Sequence, residues 1–267
     1  MNIEKGPVNL QAYIKRTNTI RTTMHIWYSI LNNYTRRYLT RVGDELIALG
    51  GVVSIFEAIP SDRFLVGMWE NSIHSGLLRS RSYDLNPQNA PETFSNLEFP
   101  SWSWASLQGE LLFYDCMLDY EECVSKRMHL VEARISWAGP ALSSRLLEAR
   151  LILKGRLRLW RRGARFSGEN NFFRLSPVVR RPDEPSEYSC CIFDSTPVEV
   201  FWSFEVMVCS SGFYRNFHVL LLSRLQREDT IYRRIGSGNI SLKEEGADSG
   251  SILDPFYGTK LRTITLV

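Results

Sequence analysis

The sequence predicts an α+β protein, with a helical N-terminal third packed on a largely antiparallel β domain. Three observations carry that prediction. Ile20, Met24, Trp27, Leu31, Tyr34 and Tyr38 recur at spacings of three and four, which is one stripe of a helix. Beyond Pro100 the apolar period changes from helical to two, the period of a strand with one buried face. Between the two regimes, Ser80 to Glu98 is polar and broken by Asn86-Pro87 and Ala90-Pro91, which reads as a loop. Residues 1–98 are therefore expected to form a helical region with its linker, and 99–267 a β-rich domain.

Thr40-Arg41-Val42-Gly43 ends the first helix. A second is expected from Asp44, whose carboxylate suits a helix N-terminus. It turns Leu46, Ile47, Leu49, Val53 and Phe56 inward and stops before Pro60. A third is expected around Trp69–Arg79. Pro100-Ser101-Trp102-Ser103-Trp104 reads as the start of a strand, because Pro tolerates a strand's first position and tryptophans two apart share a face. Val131–Trp137 alternates, and so does the stretch from Leu147 to Leu159. Its leucines are expected on the buried face, and Arg150, Lys154, Arg156 and Arg158 on a solvated outer one. Val198–Cys209, Phe217–Ser223, Ile231–Ile235 and Leu261–Val267 complete the strands. Phe217–Leu222 is apolar on both faces and should be central. Arg181–Ser189 and Gly236–Gly250 read as loops.

The chain has 267 residues, 44% apolar and 23% charged, which is ordinary for a folded protein with a self-supporting core. No apolar run reaches the roughly 18–20 residues that span a bilayer, and no signal-peptide pattern opens the sequence, so a cytoplasmic location is expected. The five cysteines lack ligand spacing; reduced thiols acting as small hydrophobes are expected, with no metal and no cofactor. The net charge of +3 is unevenly spread. Residues 145–181 hold eleven Lys/Arg against two acids, a local +9 that leaves −6 for the rest.

The motifs of common chemistries are absent from the sequence. There is no Gly-x-Ser-x-Gly and no Gly-rich phosphate loop. His25, His74, His129 and His218 lie in unrelated contexts, each better read as a face residue than as a general base. Arg158, Trp160, Arg161, Arg162 and Arg165 could contact phosphates and stack on bases of a nucleic acid. The strict Leu/Arg alternation favours a solvated strand face instead. Trp102 and Trp104 are read as buried anchors, because no polar ligand-binding residues accompany them.

Three ordered blocks resemble a known family. They are Trp27…Tyr34-Thr35-Arg36-Arg37-Tyr38-Leu39-Thr40…Asp44-Glu45-Leu46-Ile47-Ala48-Leu49-Gly50-Gly51, then Phe64-Leu65-Val66-Gly67-Met68-Trp69…Gly76-Leu77-Leu78, then Pro100-Ser101-Trp102-Ser103-Trp104-Ala105-Ser106. Together they resemble the region that follows the heterokaryon-incompatibility (HET) domain in fungal HET-domain proteins. A fainter echo runs through Tyr232-Arg233-Arg234-Ile235-Gly236. Arg79 stands where the family usually has tryptophan, and the 26 residues before Trp27 are too few to hold the HET domain itself.

The resemblance implies the C-terminal, effector-lacking portion of a self/non-self recognition protein linked to programmed cell death, as a truncated paralogue or a protein-interaction module. Its implied partner is another protein, or the HET effector domain in cis or in trans, with no membrane role. It also implies that Trp27, Tyr34, Arg36, Leu39, Asp44, Gly67, Trp69, Pro100, Trp102, Trp104 and Gly236 are framework. Two alternatives are a nucleic-acid-binding module using residues 145–181, and an NAD or nucleotide hydrolase by analogy with TIR-like domains. The second lacks a matched acid or base, so a non-enzyme is expected.

Overall fold

The computed structural model describes residues 20–37, 44–57, 62–81, 98–113, 123–165, 172–177, 188–194, 198–211, 214–225, 230–243 and 254–267. Helix and strand are mixed in them, and antiparallel sheet dominates. Leu39 lies outside the described residues.

Helix α1 (Ile20–Thr35) buries Met24, Trp27, Tyr28 and Leu31, the stripe its spacing predicts. The expected second helix is two pieces, α2 (Glu45–Ala48) and α3 (Gly50–Glu57), broken at Leu49. Leu46, Leu49, Val53 and Phe56 are buried at spacings of three and four, but Ile47 sits one position off that stripe and is 50% exposed.

The expected third helix around Trp69–Arg79 is present in shorter form, and a hairpin leads into it. Strands β1 (Phe64–Leu65) and β2 (Met68–Trp69) form a hairpin about Val66-Gly67, followed by a 3₁₀ turn at Glu70–Ser72 and the short α4 (Ile73–Leu77). Both turn residues have positive φ, 42° and 100°, as a two-residue hairpin turn matched to strand twist requires. Strand β3 (Ser80–Arg81) pairs with β4 (Leu111–Leu112).

Residues 101–106 are not a strand. Ser103 N–H donates to the Pro100 carbonyl, and Ser103 Oγ accepts from Ala105 N–H to cap a 3₁₀ turn at Trp104–Ser106. The serines satisfy the backbone locally, and that outcompetes a ladder.

The remaining strands are β5 (Cys123–Lys126), β6 (His129–Trp137), β7 (Leu146–Arg165), β8 (Phe172–Pro177), β9 (Tyr188–Phe193), β10 (Val200–Ser211), β11 (Tyr214–Arg224), β12 (Ile231–Lys243) and β13 (Leu261–Leu266). Six of them close on themselves. β7 pairs with β8, then β9, β12, β11 and β10 follow in turn, and Val200–Phe204 of β10 returns to Leu157–Arg161 of β7. Every one of these pairings is antiparallel, so the ring is a closed barrel with no edge among its members. At the other end of β7, β13 takes the place of β8 and β9, lying between Leu151–Arg156 and a short parallel contact with β12.

The two faces of this sheet enter different cores. Trp160, Phe193, Phe201, Phe217, Val219, Leu221 and Ile240 fill the barrel interior. The alternate residues, among them Leu153, Phe204, Leu220, Leu222 and Leu266, share one buried cluster with Trp27, Trp69 and Trp104. Phe217–Leu222 is buried on both faces, as a run apolar but for His218 predicts, and β11 sits between two partners.

Three expectations for the sheet change, the first being that Leu147, near the start of β7, is 56% exposed and not on a buried face. β12 continues through Lys243, so Gly236–Lys243 is strand and not loop. Closure of the barrel also turns Arg156 and Arg158 inward. Arg156 makes a two-pronged ion pair with buried Glu205 at 2.6 Å and bonds Asp254, while Arg158 lies over the Trp160 ring and donates to the Pro255 carbonyl. Lys154 and Arg150 keep the expected exposure.

Candidate functional site

The residues that carry the family resemblance meet at one buried seam. Trp27 packs edge-on against Phe56 and Trp69, with ring centroids 5.2 and 5.7 Å apart. Trp104 meets Tyr34 edge-on at 5.9 Å, and Tyr34 Oη donates to the Glu45 carbonyl. Burial, with Glu45 and Asp44 nearby, pushes the Tyr34 phenol up to about 12. Arg36 is exposed and paired with Glu110 at 2.6 Å. Asp44 is exposed and its side chain caps nothing in α2.

The second and third motif blocks lock directly. Ser103 Oγ donates to the Val66 carbonyl at 2.6 Å, and Trp104 Nε1–H to the Gly67 carbonyl at 2.7 Å. The β1–β2 turn thus presents its carbonyls to the Ser-Trp pair. Gly67 is required twice over: its φ is positive, and a Cβ there would lie 2.5 Å from Trp104 Nε1.

Beneath this turn lies Arg79, fully buried. Its Nη1 donates to the Trp102 carbonyl at 2.7 Å, and its Nη2 to the carbonyls of Ser103 at 2.7 Å and Ser101 at 3.0 Å. Arg234 of β12 meets it from the barrel. Its Nε donates to the Leu77 carbonyl at 3.0 Å, Nη2 to the Arg79 carbonyl, and Nη1 pairs with Asp194. The Arg234 amide donates to Ser101 Oγ at 3.0 Å, and that hydroxyl donates to the Val267 carbonyl. Asp194 reaches Arg234 because its own amide is held by Ile235 at 2.8 Å, just beyond the close approach of β9 to β12. A Cβ on Gly236 would sit 2.2 Å from the Ile192 carbonyl oxygen, so that approach needs glycine.

The seam is cationic. Burial and the neighbouring Arg234 push the Arg79 guanidinium well below its usual range, with Asp194 opposing. Arg81 is lowered by burial, again with Asp194 opposing. His74, buried in α4, bonds the Met128 carbonyl through Nε2 at 2.9 Å.

No family model, no curated protein and no solved structure matches this chain.

The resemblance therefore rests on the motif blocks alone. Of its eleven residues, Trp27, Gly67, Trp69, Trp102 and Trp104 lie in the packed cluster or its turn, with Tyr34 half-buried beside it. Pro100 supplies a carbonyl to Ser103, and Gly236 positions the Asp194–Arg234 pair. The division at residue 98 falls within this cluster, since Trp102, Trp104 and Phe113 pack with residues of α1 and β2. Sequence reasoning missed Asp194, Arg234 and Ser237 as seam residues. Arg79 carried a signal, as a cation in a tryptophan's position.

The nucleic-acid candidates do not share a face. Trp160 is fully buried inside the barrel, where it cannot stack on a base, and Arg158 covers it. Arg161 is exposed, 3.9 Å from Glu199. Arg162 follows on β7, and Arg165 ends that strand. Among the described residues no group of three His, Cys, Asp or Glu could hold a metal, Cys191 and Cys209 are buried and form no disulfide, and no helix is long and apolar enough to cross a membrane.

His74 makes a pH prediction. Burial lowers its pKa to about 4 against 6.5 in a model peptide. The unfolded chain then binds the extra proton between those values, so stability falls as pH drops through that window. The loss approaches roughly 3–4 kcal/mol at the acid end, at about 1.4 kcal/mol per pKa unit. His74→Gln, which keeps a donor for Met128, is expected to flatten the difference in melting temperature between pH 7 and pH 4.5. An undiminished difference would remove His74 from the account.

Proposed function

We propose that this chain is a protein-interaction module of the HET-family type, without an enzymatic role of its own, that regulates a cell-death effector in cis or in trans. The observation that carries this reading is how the motif residues are used. Ser103, Trp104, Gly67 and Gly236 all make contacts that join one part of the fold to another. A motif that builds a frame, and not a site, leaves the surface free to vary and recognise partners. In this reading the N-terminal region, helical in large part, is docked on the sheet through the Arg79–Arg234 seam.

A concavity suited to a partner side chain lies among the described residues. A groove of about 420 Å³ lies between Phe99, Leu146, Leu147, Leu225 and Arg233. Leu147 and Leu225 are 56% and 38% exposed there. Exposed leucines beside a charged rim are the composition of a recognition surface.

The experiment is direct binding of the full chain to a purified HET domain, measured by biolayer interferometry. Saturable binding with a Kd below roughly 100 μM, weakened at least tenfold by Leu147→Asp, is expected. No binding at that concentration, or identical binding by the variant, contradicts the reading.

A further inference from the structure

Arg79 and Arg81 are the seam arginines whose buried Nε atoms have no hydrogen-bond partner among the described residues. Arg81 lies two residues beyond Arg79, so the two leave the chain on the same side, and Asp194 is near enough to act on both. Arg81 is 7% exposed, yet its buried Nε has no hydrogen-bond partner among the described residues. Asp194 is the opposite charge that acts on it, and Arg234 already claims that carboxylate through a direct ion pair. Arg79 Nε is buried without a partner as well. Three guanidinium groups thus lie near a single carboxylate, one of them in direct contact with it, a local excess of two positive charges in a poorly hydrated place.

A guanidinium carries five donors in a rigid fork and does not shed its charge. Burying one without acceptors is costly, and native structures rarely leave such groups unserved. A ligand that accepts several hydrogen bonds and brings two negative charges matches both deficits. We infer that Arg81, backed by Arg79 and Arg234, binds a phosphate-type dianion. The fork suits two oxygens of one phosphoryl group, and the second arginine's charge stabilises the complex without direct contact. A monoanion such as chloride supplies neither the geometry nor the charge.

This inference does not depend on the proposed interaction role. A bound dianion would tie β3 to the Asp194 end of β9, linking occupancy to the stability of the seam.

The test uses the full chain and inorganic phosphate as the probe, with sodium chloride at matched ionic strength as control. Phosphate is expected to raise the melting temperature in a saturable way, and chloride is expected not to. Arg81→Gln should lower the apparent phosphate affinity at least tenfold, and Arg81→Lys should lower it less. AMP and O-phosphoserine, tested in parallel, distinguish a free nucleotide from a phosphorylated side chain as the source of the phosphoryl group. An equal shift with chloride, or undiminished phosphate binding by Arg81→Gln, overturns the inference. If Arg81→Gln does not fold, the comparison of phosphate with chloride on the unmodified chain and on Arg81→Lys decides it.

Discussion

Arg234→Met is expected to destabilise the protein by about 3–5 kcal/mol, the usual consequence of removing one partner of a buried ion pair. The magnitude follows from what is stranded. Asp194, 6% exposed, loses its direct cation, and the Leu77 carbonyl loses its donor. The Arg79 carbonyl keeps one donor, Ser237 Oγ at 3.1 Å, so it is not abandoned. Methionine fills similar volume, so a cavity contributes little. Exchanging both members, Arg234→Met with Asp194→Leu, should recover only part of the loss, because the stranded carboxylate is gone but Arg79 and Arg81 lose the acid that opposes their burial. Urea unfolding of the single and double variants measures both quantities. A single variant within about 1 kcal/mol of the parent would mean that the buried pair is not formed.

Trp104→Ala and Trp102→Ala are each expected to cost about 3–5 kcal/mol, the range for emptying an aromatic site in a packed core. Both rings are essentially inaccessible. Truncation to phenylalanine separates them. Trp104 Nε1–H is bonded to the Gly67 carbonyl at 2.7 Å, so Trp104→Phe leaves that turn carbonyl without its donor and costs a further ~1–3 kcal/mol. Trp102 Nε1 has no partner among the described residues, so Trp102→Phe loses ring volume alone. Trp104→Phe should therefore be the more destabilising of the two, and equal losses would argue against the lock between the β1–β2 turn and Trp104.

The parts of the fold legible in the sequence are those with a strong local period. The α1 stripe through Met24, Trp27 and Leu31 and the buried alternation of Leu151, Leu153 and Leu157 on β7 both survive, because burial on one face imposes that spacing. The β1–β2 hairpin was hidden because Val66-Gly67 is a poor turn dipeptide. The positive φ at Val66 is held by tertiary contacts, with its carbonyl accepting from Ser103. The Trp102–Trp104 strand was misread because two serines satisfy the backbone locally, a competition that apolar periodicity does not register. β12 was cut short at Gly236 because Gly-Ser-Gly reads as loop. In a closed barrel that glycine is instead the place where two backbones approach. The inward turn of Arg156 follows from closure, and closure is a property of six strands together.

The candidate seam was half legible. The aromatic residues announced a core, and the resemblance marked them as framework. Asp194 and Arg234 are 40 residues apart in sequence, and nothing local ties them.

Native-state hydrogen exchange of the full chain tests most directly whether the seam makes one frame of the two regions. Amides of Leu65, Trp69 and Leu107 should exchange only through global unfolding, with the same free energy as Val219 and Leu221 in the centre of β11. Exchange of the first group at a free energy well below that of β11 would mean that the N-terminal region opens independently, and the central claim would be wrong.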